Sequence, residues 1–411
     1  MNISLKHSKV LPQPLQITIT GSKSESNRLL ILQALFPEIT LENLSNSDDT
    51  QVMQQALKSE EALVDIHHAG TTMRFLTAYF SSKSGKSVTL TGSKRMKERP
   101  IKILVDALRS LGAEITYVEN EGYPPIKISG KAITESAVSL QANVSSQYIS
   151  ALMLIGSTLK NGLKLTLVGE ITSVPYIKMT LNLLHQLGID AHFEGQTITI
   201  SPKTTSVLAN ALTVESDWSS ASYYFSIVAL SAVGTSITLS AYKANSLQGD
   251  SVLAEIYKAF GVETTFSNNA ITLKKVKEIS KETNITLDLV NAPDIAQTIA
   301  VTCFGLKIAC NLSGLHTLKI KETDRLEALK TEIEKLGGKV HVTDKTLRLE
   351  PATDIFENIA IDTYNDHRMA MAFAPLALRV PMYVNDAEVV SKSYPEFWND
   401  LEKIGFEMES Y

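Results

Sequence analysis

The sequence has 411 residues, of which 44% are hydrophobic and 20% are charged, and its formal net charge at pH 7 is -5. These proportions exclude intrinsic disorder as the main state, and the length predicts two domains of roughly 200 residues each. A net acidic chain is not expected to bind nucleic acid or a membrane surface through general charge attraction.

The chain contains no run of about 18 apolar residues and no apolar N-terminal leader, so we expect a cytoplasmic protein. Its two cysteines, Cys303 and Cys310, stand in the apolar stretch IAVTCFGLKIAC. We interpret them as buried thiols in a reducing compartment.

A repeated pattern runs along the chain, in which an amphipathic helix ends at a glycine and an alternating strand follows. A weaker sixth copy is QVMQQALKSEEALVDIHH. The glycines that end the five clear copies are Gly112, Gly188, Gly261, Gly337 and Gly405. Six copies split three and three predict an α/β (α+β) protein with two similar domains.

The chain is predicted to cross between these domains twice, near Thr20 and at Val214 to Glu215. Residues 1–19 with 215–411 would form the first, discontinuous domain, and residues 20–214 the second. Ser216 and Asp217, at the second crossover, suit a hinge, and we expect the active site in the cleft between the domains.

The first motif, GSKSESNR, lies between the strand-like LQITIT and an apolar run that predicts a helix. Ser24 is predicted to cap a helix beginning near Glu25, whose free backbone N–H groups would favour an anion. Lys23 and Arg28 could reach the same ligand. A capped helix with solvated charges explains this motif about equally well.

Three further motifs in the first half carry similar side chains: HAGTTMRF, GSKRMKERP and ANVSSQYIS. Gly70 permits close backbone approach to a ligand, and the serines with Gln147 offer neutral donors suited to phosphate and hydroxyl groups. The charge run around Arg95 is by itself more typical of a solvated surface.

In the second half, LKIKETDRLEALKTEI places Lys321, Glu322 and Arg325 at helical spacing near a helix start, although surface ion pairs would look the same. YNDHRMAM and VSKSYPEF add Arg368 and Lys392, and NAPDIAQ contributes Asp294. Together the cations suit a small substrate with phosphate or carboxylate groups, and the acids could transfer protons. No motif of the kind that binds a metal is present, so no metal site is expected.

Taken in order from Gly21 to Phe397, these motifs and SVPYI closely resemble those of the EPSP synthases, the 3-phosphoshikimate 1-carboxyvinyltransferases. The resemblance implies two inverse αβ-barrel-like domains, each of three repeated α/β units, joined by two hinge strands. It also implies transfer of the enolpyruvyl group of phosphoenolpyruvate to the 5-hydroxyl of shikimate 3-phosphate without a cofactor, in the shikimate pathway.

The resemblance also assigns roles to individual residues. Asp294, Glu322 and Lys23 would be catalytic. Shikimate 3-phosphate would be bound by Lys23, Ser24, Arg28, Ser145, Ser146, Gln147, Ser173, Tyr176, Asp294, Thr317 and Lys321. Phosphoenolpyruvate would be bound by Lys23, Gly70, Thr71, Arg95, Gln147, Arg325, His367, Arg368 and Lys392. The resemblance further implies that the herbicide glyphosate inhibits the protein, because family members with glycine at the position of Gly70 usually bind it. It also implies a monomer.

Three positions depart from the usual pattern of the family, since His68 and Thr317 stand where asparagine is common and Phe75 where proline is common.

Two alternatives of related fold stay open: a transferase acting on UDP-N-acetylglucosamine, and a non-catalytic module that binds phosphorylated sugars. The first normally has a cysteine near the basic cluster, which GSKRMKERP lacks. The second is expected to have lost Asp294 or Glu322, and both are present. An RNA-binding relative is opposed by the net negative charge.

Overall fold

The computed structural model describes residues 1–12, 14–141, 145–171, 174–203, 206, 208 and 211–411. The chain forms two compact units. The first unit comprises Met1–Thr20 and Glu215–Tyr411, and the second comprises Gly21–Val214. The sequence-based boundary lay one residue earlier, because Thr20 belongs with the first unit.

Helices alternate with short strands throughout both units. The α-helices are α1 (Lys23–Leu35), α2 (Asp48–Lys58), α3 (Gly70–Ser82), α4 (Lys94–Lys97), α5 (Lys102–Ser110), α6 (Ser146–Gly156), α7 (Val174–Gln186), α8 (Trp218–Leu230), α9 (Leu253–Ile256), α10 (Ala296–Gly305), α11 (Arg325–Lys335), α12 (His367–Phe373) and α13 (Phe397–Lys403). Short 3₁₀ helices cover Gly249–Val252, Tyr257–Phe260, Pro293–Ile295, His316–Ile320, Ala374–Leu378 and Ala387–Lys392. No helix in the described part of the chain is long and apolar enough to span a membrane.

The strands are short. They are β1 (Ile3–Leu5), β2 (Leu15–Ile17), β3 (Thr40–Glu42), β4 (Leu63–Asp65), β5 (Ser87–Thr91), β6 (Glu114–Tyr117), β7 (Ile126–Ser129), β8 (Ala137–Gln141), β9 (Leu163–Val168), β10 (Ala191–Glu194), β11 (Thr197–Ile200), β12 (Ala211–Thr213), β13 (Ser236–Ser240), β14 (Val262–Ser267), β15 (Ala270–Lys275), β16 (Asn284–Asp288), β17 (Ala309–Ser313), β18 (Val340–Val342), β19 (Leu347–Leu349), β20 (Ile359–Ile361), β21 (Met382–Val384) and β22 (Met408–Ser410).

One sheet pattern recurs five times among the described residues. Each four-stranded sheet has a parallel pair at one edge and two antiparallel pairings beyond it, as in the order β4-β5-β7-β6. The other four sheets are β8-β9-β11-β10, β2-β13-β15-β14, β16-β17-β19-β18 and β20-β21-β1-β22. The parallel pair β3-β12 is the corresponding part of a sixth copy. The repeat inferred from the sequence is therefore visible in strand order.

The five glycines predicted to end helices all adopt left-handed backbone angles, with φ between +70° and +110°. Glycine adopts this conformation without the Cβ penalty of other residues, which is why it so often follows a helix. Each of these turns leads the chain from an outer helix toward the next strand.

The helix that joins or follows each parallel pair is buried. Every residue of α8, α10 and α12 is buried, and so is every residue of α3 except the last. Such helices show little amphipathic pattern because they are covered on all sides. Cys303 and Cys310 lie in this core as free, buried thiols, as predicted.

Two local predictions were wrong. Helix α1 begins at Lys23 with Ser22 in the N-cap position, so Ser24 lies inside the helix and does not cap it. Helix α11 begins at Arg325 with Asp324 as its cap, and Asp324 accepts hydrogen bonds from the N–H groups of Leu326 and Glu327. Lys321 and Glu322 therefore belong to the turn before the helix, and helical spacing does not explain their proximity to Arg325.

Candidate active site

The residues predicted to bind substrate lie mainly at the N-terminal ends of helices. In the second unit, Lys23 and Ser24 open α1, Gly70 opens α3, and Ser146 opens α6. In the first unit, Asp294 directly precedes α10, Arg325 opens α11 and His367 opens α12. Unbonded backbone N–H groups at such ends favour negative charge, so both sets of residues are suited to anions.

Arg28, on α1, is 2% exposed and surrounded by neutral partners. Its Nε donates to Thr180 Oγ1 at 2.8 Å, its Nη1 to the Ser24 carbonyl at 2.7 Å and its Nη2 to Ser150 Oγ at 2.9 Å. Burial lowers its pKa to about 10. The guanidinium is thus held rigidly by neutral oxygens, and an anionic ligand would offset its charge.

Two aromatic rings also face the Arg28 guanidinium. The ring centroid of Phe75 lies 5.4 Å from Cζ, and that of Tyr176 lies 5.6 Å away. Tyr176 is thereby placed beside Arg28, consistent with its predicted part in the same subsite. Ser173, predicted for that subsite as well, lies outside the described residues.

Lys23 lies close to a buried acid that the sequence analysis did not select. Its Nζ is 3.5 Å from Asp49 Oδ2, and the Asp49 side chain is 4% exposed while that of Lys23 is 18% exposed. Asp49 lies at the start of α2, so packing of α1 against α2 brings the two residues together. The ion pair holds Lys23 in place with part of its ammonium accessible.

Helices α3 and α6 are joined by a hydrogen bond between two predicted site residues. Gln147 Nε2 donates to Thr71 Oγ1 at 3.1 Å. Ser145 is the N-cap of α6 and accepts from the N–H of Gln147 at 3.3 Å. The serine motif therefore supplies one cap, as expected, and leaves Ser146 and Gln147 beside it.

Arg95 stands apart from these groups. It lies on the short helix α4, its side chain is 51% exposed, and its Nη1 is 3.2 Å from Glu98 Oε2. No hydrogen bond or ion pair connects Arg95 to another predicted site residue within the described ranges. Its predicted contact with phosphoenolpyruvate stays a prediction.

In the first unit, Arg325 joins three carboxylates. Its Nε donates to Asp366 Oδ2 at 2.6 Å, its Nη1 to Asp294 Oδ1 at 2.9 Å and its Nη2 to Glu322 Oε2 at 2.8 Å. The side chain is 2% exposed. Burial would lower the pKa of Arg325, but Asp366, Glu322 and Asp294 together raise it above its ordinary value.

Asp294 is surrounded by positive charge. Lys321 Nζ is 3.6 Å from its Oδ1, and Arg368 Nη2 is 3.4 Å from its Oδ2. Burial, the largest single influence, would raise the pKa of Asp294, but the charges of Arg368, Lys321 and Arg325 outweigh it and hold the pKa well below its ordinary range. The carboxylate is ionised at neutral pH in the free protein.

Glu322 is held by two cations. In addition to Arg325, Lys392 Nζ lies 3.1 Å from Glu322 Oε1, and both side chains are largely buried. Lys392 ends the 3₁₀ helix Ala387–Lys392, about seventy residues after Glu322 in the chain. Predicted residues from three separate motifs are therefore in contact.

Arg368 connects this network to a second buried acid. Its Nη2 donates to Ser219 Oγ at 3.3 Å, and Ser219 donates in turn to Asp250. Burial, together with the negative charge of Asp294, raises the pKa of Asp250 to about 7. Ser219 and Asp250 thus support the position of Arg368, and nothing in the sequence around either residue indicated this role.

The remaining predicted residues are less well connected. His367 is 1% exposed, and its Nδ1 lies 3.7 Å from Asp366 Oδ1. Thr317 lies in the 3₁₀ helix His316–Ile320, and its Oγ1 is buried without a hydrogen-bond partner in the described part of the chain. Their predicted substrate contacts stay predictions.

Residues 54–401 match a family profile, that of EPSP synthase (3-phosphoshikimate 1-carboxyvinyltransferase). The chain belongs to the EPSP synthase family. This confirms the family inferred from the motifs, and the acid and base residues of the network described above lie within the matched range.

Individual EPSP synthase relatives are similar along nearly their whole length. The 3-phosphoshikimate 1-carboxyvinyltransferase of Bacteroides fragilis (strain YCH46) is 48% identical over 406 residues, covering 97% of this chain and 98% of the relative. The enzyme of that name from Haemophilus influenzae (strain PittGG) is 35% identical, covering 94% and 96%.

Solved structures support the fold. EPSP synthase from Acinetobacter baumannii superposes with a TM-score of 0.80 at 21% identity, covering all of both chains. The enolpyruvyl transferase NikO from Streptomyces tendae gives a TM-score of 0.74 at 14% identity, covering 99% of this chain and 98% of that one. These likenesses concern the fold alone, and they confirm the predicted α/β class.

Proposed function

We propose that the protein is a 3-phosphoshikimate 1-carboxyvinyltransferase of aromatic amino acid biosynthesis. It transfers the enolpyruvyl group of phosphoenolpyruvate to the 5-hydroxyl of shikimate 3-phosphate and releases phosphate. The observation that carries this proposal is the pair of buried acids, Asp294 and Glu322, held by one arginine in a chain whose relatives have this name. A binding module without catalysis would have no need to retain both acids in such a costly setting.

Both substrates are anions, and each unit supplies cations for them. Arg28, with its neutral partners, is proposed to bind the 3-phosphate, aided by Ser146 and Gln147. Lys23, Gly70, Thr71 and Arg95 are proposed to bind phosphoenolpyruvate from the second unit. In the first unit, the proposed donor-binding cations are Arg325, Arg368 and Lys392. Arginine suits both groups because its planar fork can donate two parallel hydrogen bonds to a phosphate or a carboxylate.

The reaction needs several proton transfers, which two acids could carry out. In the addition step, the 5-hydroxyl oxygen bonds to C2 of phosphoenolpyruvate, its proton passes to Asp294, and a proton from Glu322 is added at C3. In the elimination step, a proton returns from C3 to Glu322 while the bond between C2 and the phosphate oxygen breaks. Asp294 then passes its proton to the departing phosphate, so both acids regain their starting states and the enol ether and inorganic phosphate balance the two substrates.

The charges around Asp294 explain how it could act as a base only when substrate is bound. In the free protein Arg368, Lys321 and Arg325 hold its pKa well below the ordinary range, so it is a weak base. Anionic substrate bound to the same cations would offset their charge, and the pKa of Asp294 would rise toward a value useful for proton transfer. Binding and activation of the base are thus coupled.

The direct test is phosphate release from phosphoenolpyruvate by the purified protein, with shikimate 3-phosphate or UDP-N-acetylglucosamine as acceptor. Release with shikimate 3-phosphate alone supports the proposal. Release with UDP-N-acetylglucosamine would identify the sister reaction. Tight binding of shikimate 3-phosphate without any release would identify a non-catalytic module.

We further propose that glyphosate inhibits this enzyme by competing with phosphoenolpyruvate, because position 70 is a glycine, as the family resemblance requires for sensitivity. A half-inhibitory concentration in the tens of millimolar would contradict this.

The protein is proposed to act as a monomer, and size-exclusion chromatography with light scattering would test that directly.

A further inference from the structure

Arg99 occupies the space above Gly70. A Cβ atom added to Gly70 would lie 2.6 Å from Arg99 Nη1, 2.7 Å from Nη2 and 3.0 Å from Cζ. The guanidinium plane therefore packs against the glycine where a side chain would otherwise project. Gly70 is the first residue of α3, so the charge of Arg99 stands at the N-terminal end of that helix.

A second arginine lies at the same helix end. Arg74 Nη1 donates to the Gly70 carbonyl at 3.2 Å, and its Nη2 donates to the Pro100 carbonyl at 3.0 Å. Burial, and after it the positive charge of Arg99, lowers the pKa of Arg74 to about 10. The two guanidinium groups are therefore close enough to repel each other.

No acid compensates this pair within the described ranges. The hydrogen bonds of Arg74 go to carbonyl oxygens and to the sulfur of Met96, and none of the described residues forms a hydrogen bond or ion pair with the Arg99 side chain. The nearby acid Glu98 is paired with Arg95 instead. Arg99 is half-buried, so water screens its charge only in part.

This arrangement is unfavourable for folding alone. A cation at a helix N-terminus opposes the helix dipole, and a second cation beside it adds repulsion. The helix has no side-chain cap, since Ala69 stands in the N-cap position. Two guanidinium groups and free backbone N–H groups together form a site that an anion would stabilise.

We infer that Arg99 binds the anionic donor directly, and that the absence of a side chain at Gly70 provides the space for its guanidinium. The inference rests on the proposed function, which assigns Gly70 to phosphoenolpyruvate. It adds a specificity residue for the donor that the motif comparison did not select. A ligand with two anionic groups, such as phosphoenolpyruvate, is favoured over a monoanion because two arginines require compensation.

The test compares the full-length wild type with Arg99→Gln and with the matched control Lys97→Gln. Lys97 lies on the neighbouring helix α4 and pairs with Glu119 at the surface. Loss of one charged hydrogen-bonding group predicts a KM for phosphoenolpyruvate raised on the order of tenfold in Arg99→Gln. The KM for shikimate 3-phosphate is expected to stay within about twofold, and Lys97→Gln is expected to match the wild type. An unchanged KM for phosphoenolpyruvate in Arg99→Gln would overturn the inference.

A double-substitution cycle tests the link to Gly70. The methyl group of Gly70→Ala must displace Arg99, so Gly70→Ala is expected to raise the KM for phosphoenolpyruvate in the wild-type background and to add little in the Arg99→Gln background. Effects that multiply would show that the methyl group acts on the donor itself, which would contradict the coupling.

Failure of the inference can be told apart from failure of the proposed function. If the wild type releases no phosphate, the proposed reaction fails, and titration calorimetry with phosphoenolpyruvate then tests Arg99 without turnover. Weaker binding to Arg99→Gln than to the wild type supports the inference, and equal binding overturns it. Circular dichroism and binding of shikimate 3-phosphate verify that the variant is folded, and Arg99→Lys replaces it if it is not.

Discussion

Nη1 of Arg325 lies 2.9 Å from Oδ1 of Asp294. The neighbouring nitrogen of the same guanidinium, Nη2, lies 2.8 Å from Oε2 of Glu322. Because the guanidinium is planar and rigid, these two bonds fix the two acids relative to each other. The two acids proposed to serve the proton transfers are thus positioned by a single group.

Asp294→Ala is expected to lower kcat by a factor on the order of a hundred or more, because the proton of the attacking hydroxyl loses its acceptor. Binding of shikimate 3-phosphate, measured by titration calorimetry, should change only a few-fold. Asp344→Ala is the matched control, since Asp344 is an exposed acid of the same unit that pairs with Lys319. Undiminished kcat would remove Asp294 from the mechanism.

Arg325→Met tests the network that Arg325 forms with its three carboxylates, and the quantity measured is the stability of the folded protein. The substitution leaves Asp294, Asp366 and Glu322 buried without their shared cation, which is expected to cost about 3–5 kcal/mol in the free energy of unfolding at pH 8. Arg325 is one of the charges that hold the pKa of Asp294 below its ordinary range, so that pKa should rise in the variant. The folded variant then binds a proton at a higher pH than the folded wild type does, so its deficit should narrow as the pH falls into the acid range.

Urea unfolding at several pH values measures that deficit. Arg348→Met provides the control, because Arg348 is exposed on β19. A deficit that stays constant as the pH falls through the acid range would mean that the charge of these carboxylates is not its cause.

The repeat and its turns were predictable from the sequence because their causes are local. A helix that ends in a left-handed residue selects glycine at that position, and the following alternation reflects a half-buried strand. Gly112 and Gly405 illustrate this, with φ values of +102° and +110°. The same local reasoning was sufficient to count the α/β units before any strand pairing was known.

Where helices begin was less predictable. Ser22 and Ser24 both satisfy the simple rule for an N-cap residue, so the two-residue difference at α1 could not be resolved. In KETDR, Thr323 and Asp324 compete for the cap, and Asp324 accepts the two bonds. Glu322 still reaches Arg325, but it does so from a turn.

The supporting acids could not be predicted at all. Asp366 is 41 residues from Arg325 in the chain, and Asp250 is linked to Arg368 by way of Ser219. Such contacts depend on how the buried helices pack, which leaves no periodic trace in the sequence. The family resemblance selected substrate-binding residues, and it passed over Asp49, which holds Lys23.

Arg28→Ala is expected to raise the KM for shikimate 3-phosphate by roughly tenfold to a hundredfold, because a charged hydrogen-bonding group is lost from a dry setting. The KM for phosphoenolpyruvate should change much less. Arg109→Ala is the control, since Arg109 bonds only the Ile115 carbonyl within the same unit and pairs loosely with Asp106. If the acceptor KM stays at the wild-type value, Arg28 does not bind the 3-phosphate.

Asp250→Asn should change how stability depends on pH. The pKa of Asp250 is raised to about 7 by burial and by Asp294, whereas an aspartate in an unfolded chain titrates near about 4. Between these values the folded protein holds a proton that the unfolded chain has released. The contribution of Asp250 to the free energy of unfolding therefore decreases as the pH rises from about 4 to 7, and asparagine removes that decrease.

The groups facing Asp250 include Ser219, Asp294, Arg368 and Asp217, and all remain in the variant. Urea midpoints of the wild type and of Asp250→Asn should therefore diverge in favour of the variant as the pH rises from 5 to 8. Asp354→Asn, at an exposed acid, should follow the wild type at every pH. If the urea midpoints of the wild type and Asp250→Asn instead change with pH in parallel, Asp250 carries no proton at neutral pH. The hydrogen bonds from Arg368 to Ser219 and from Ser219 to Asp250 would then end at an ionised carboxylate.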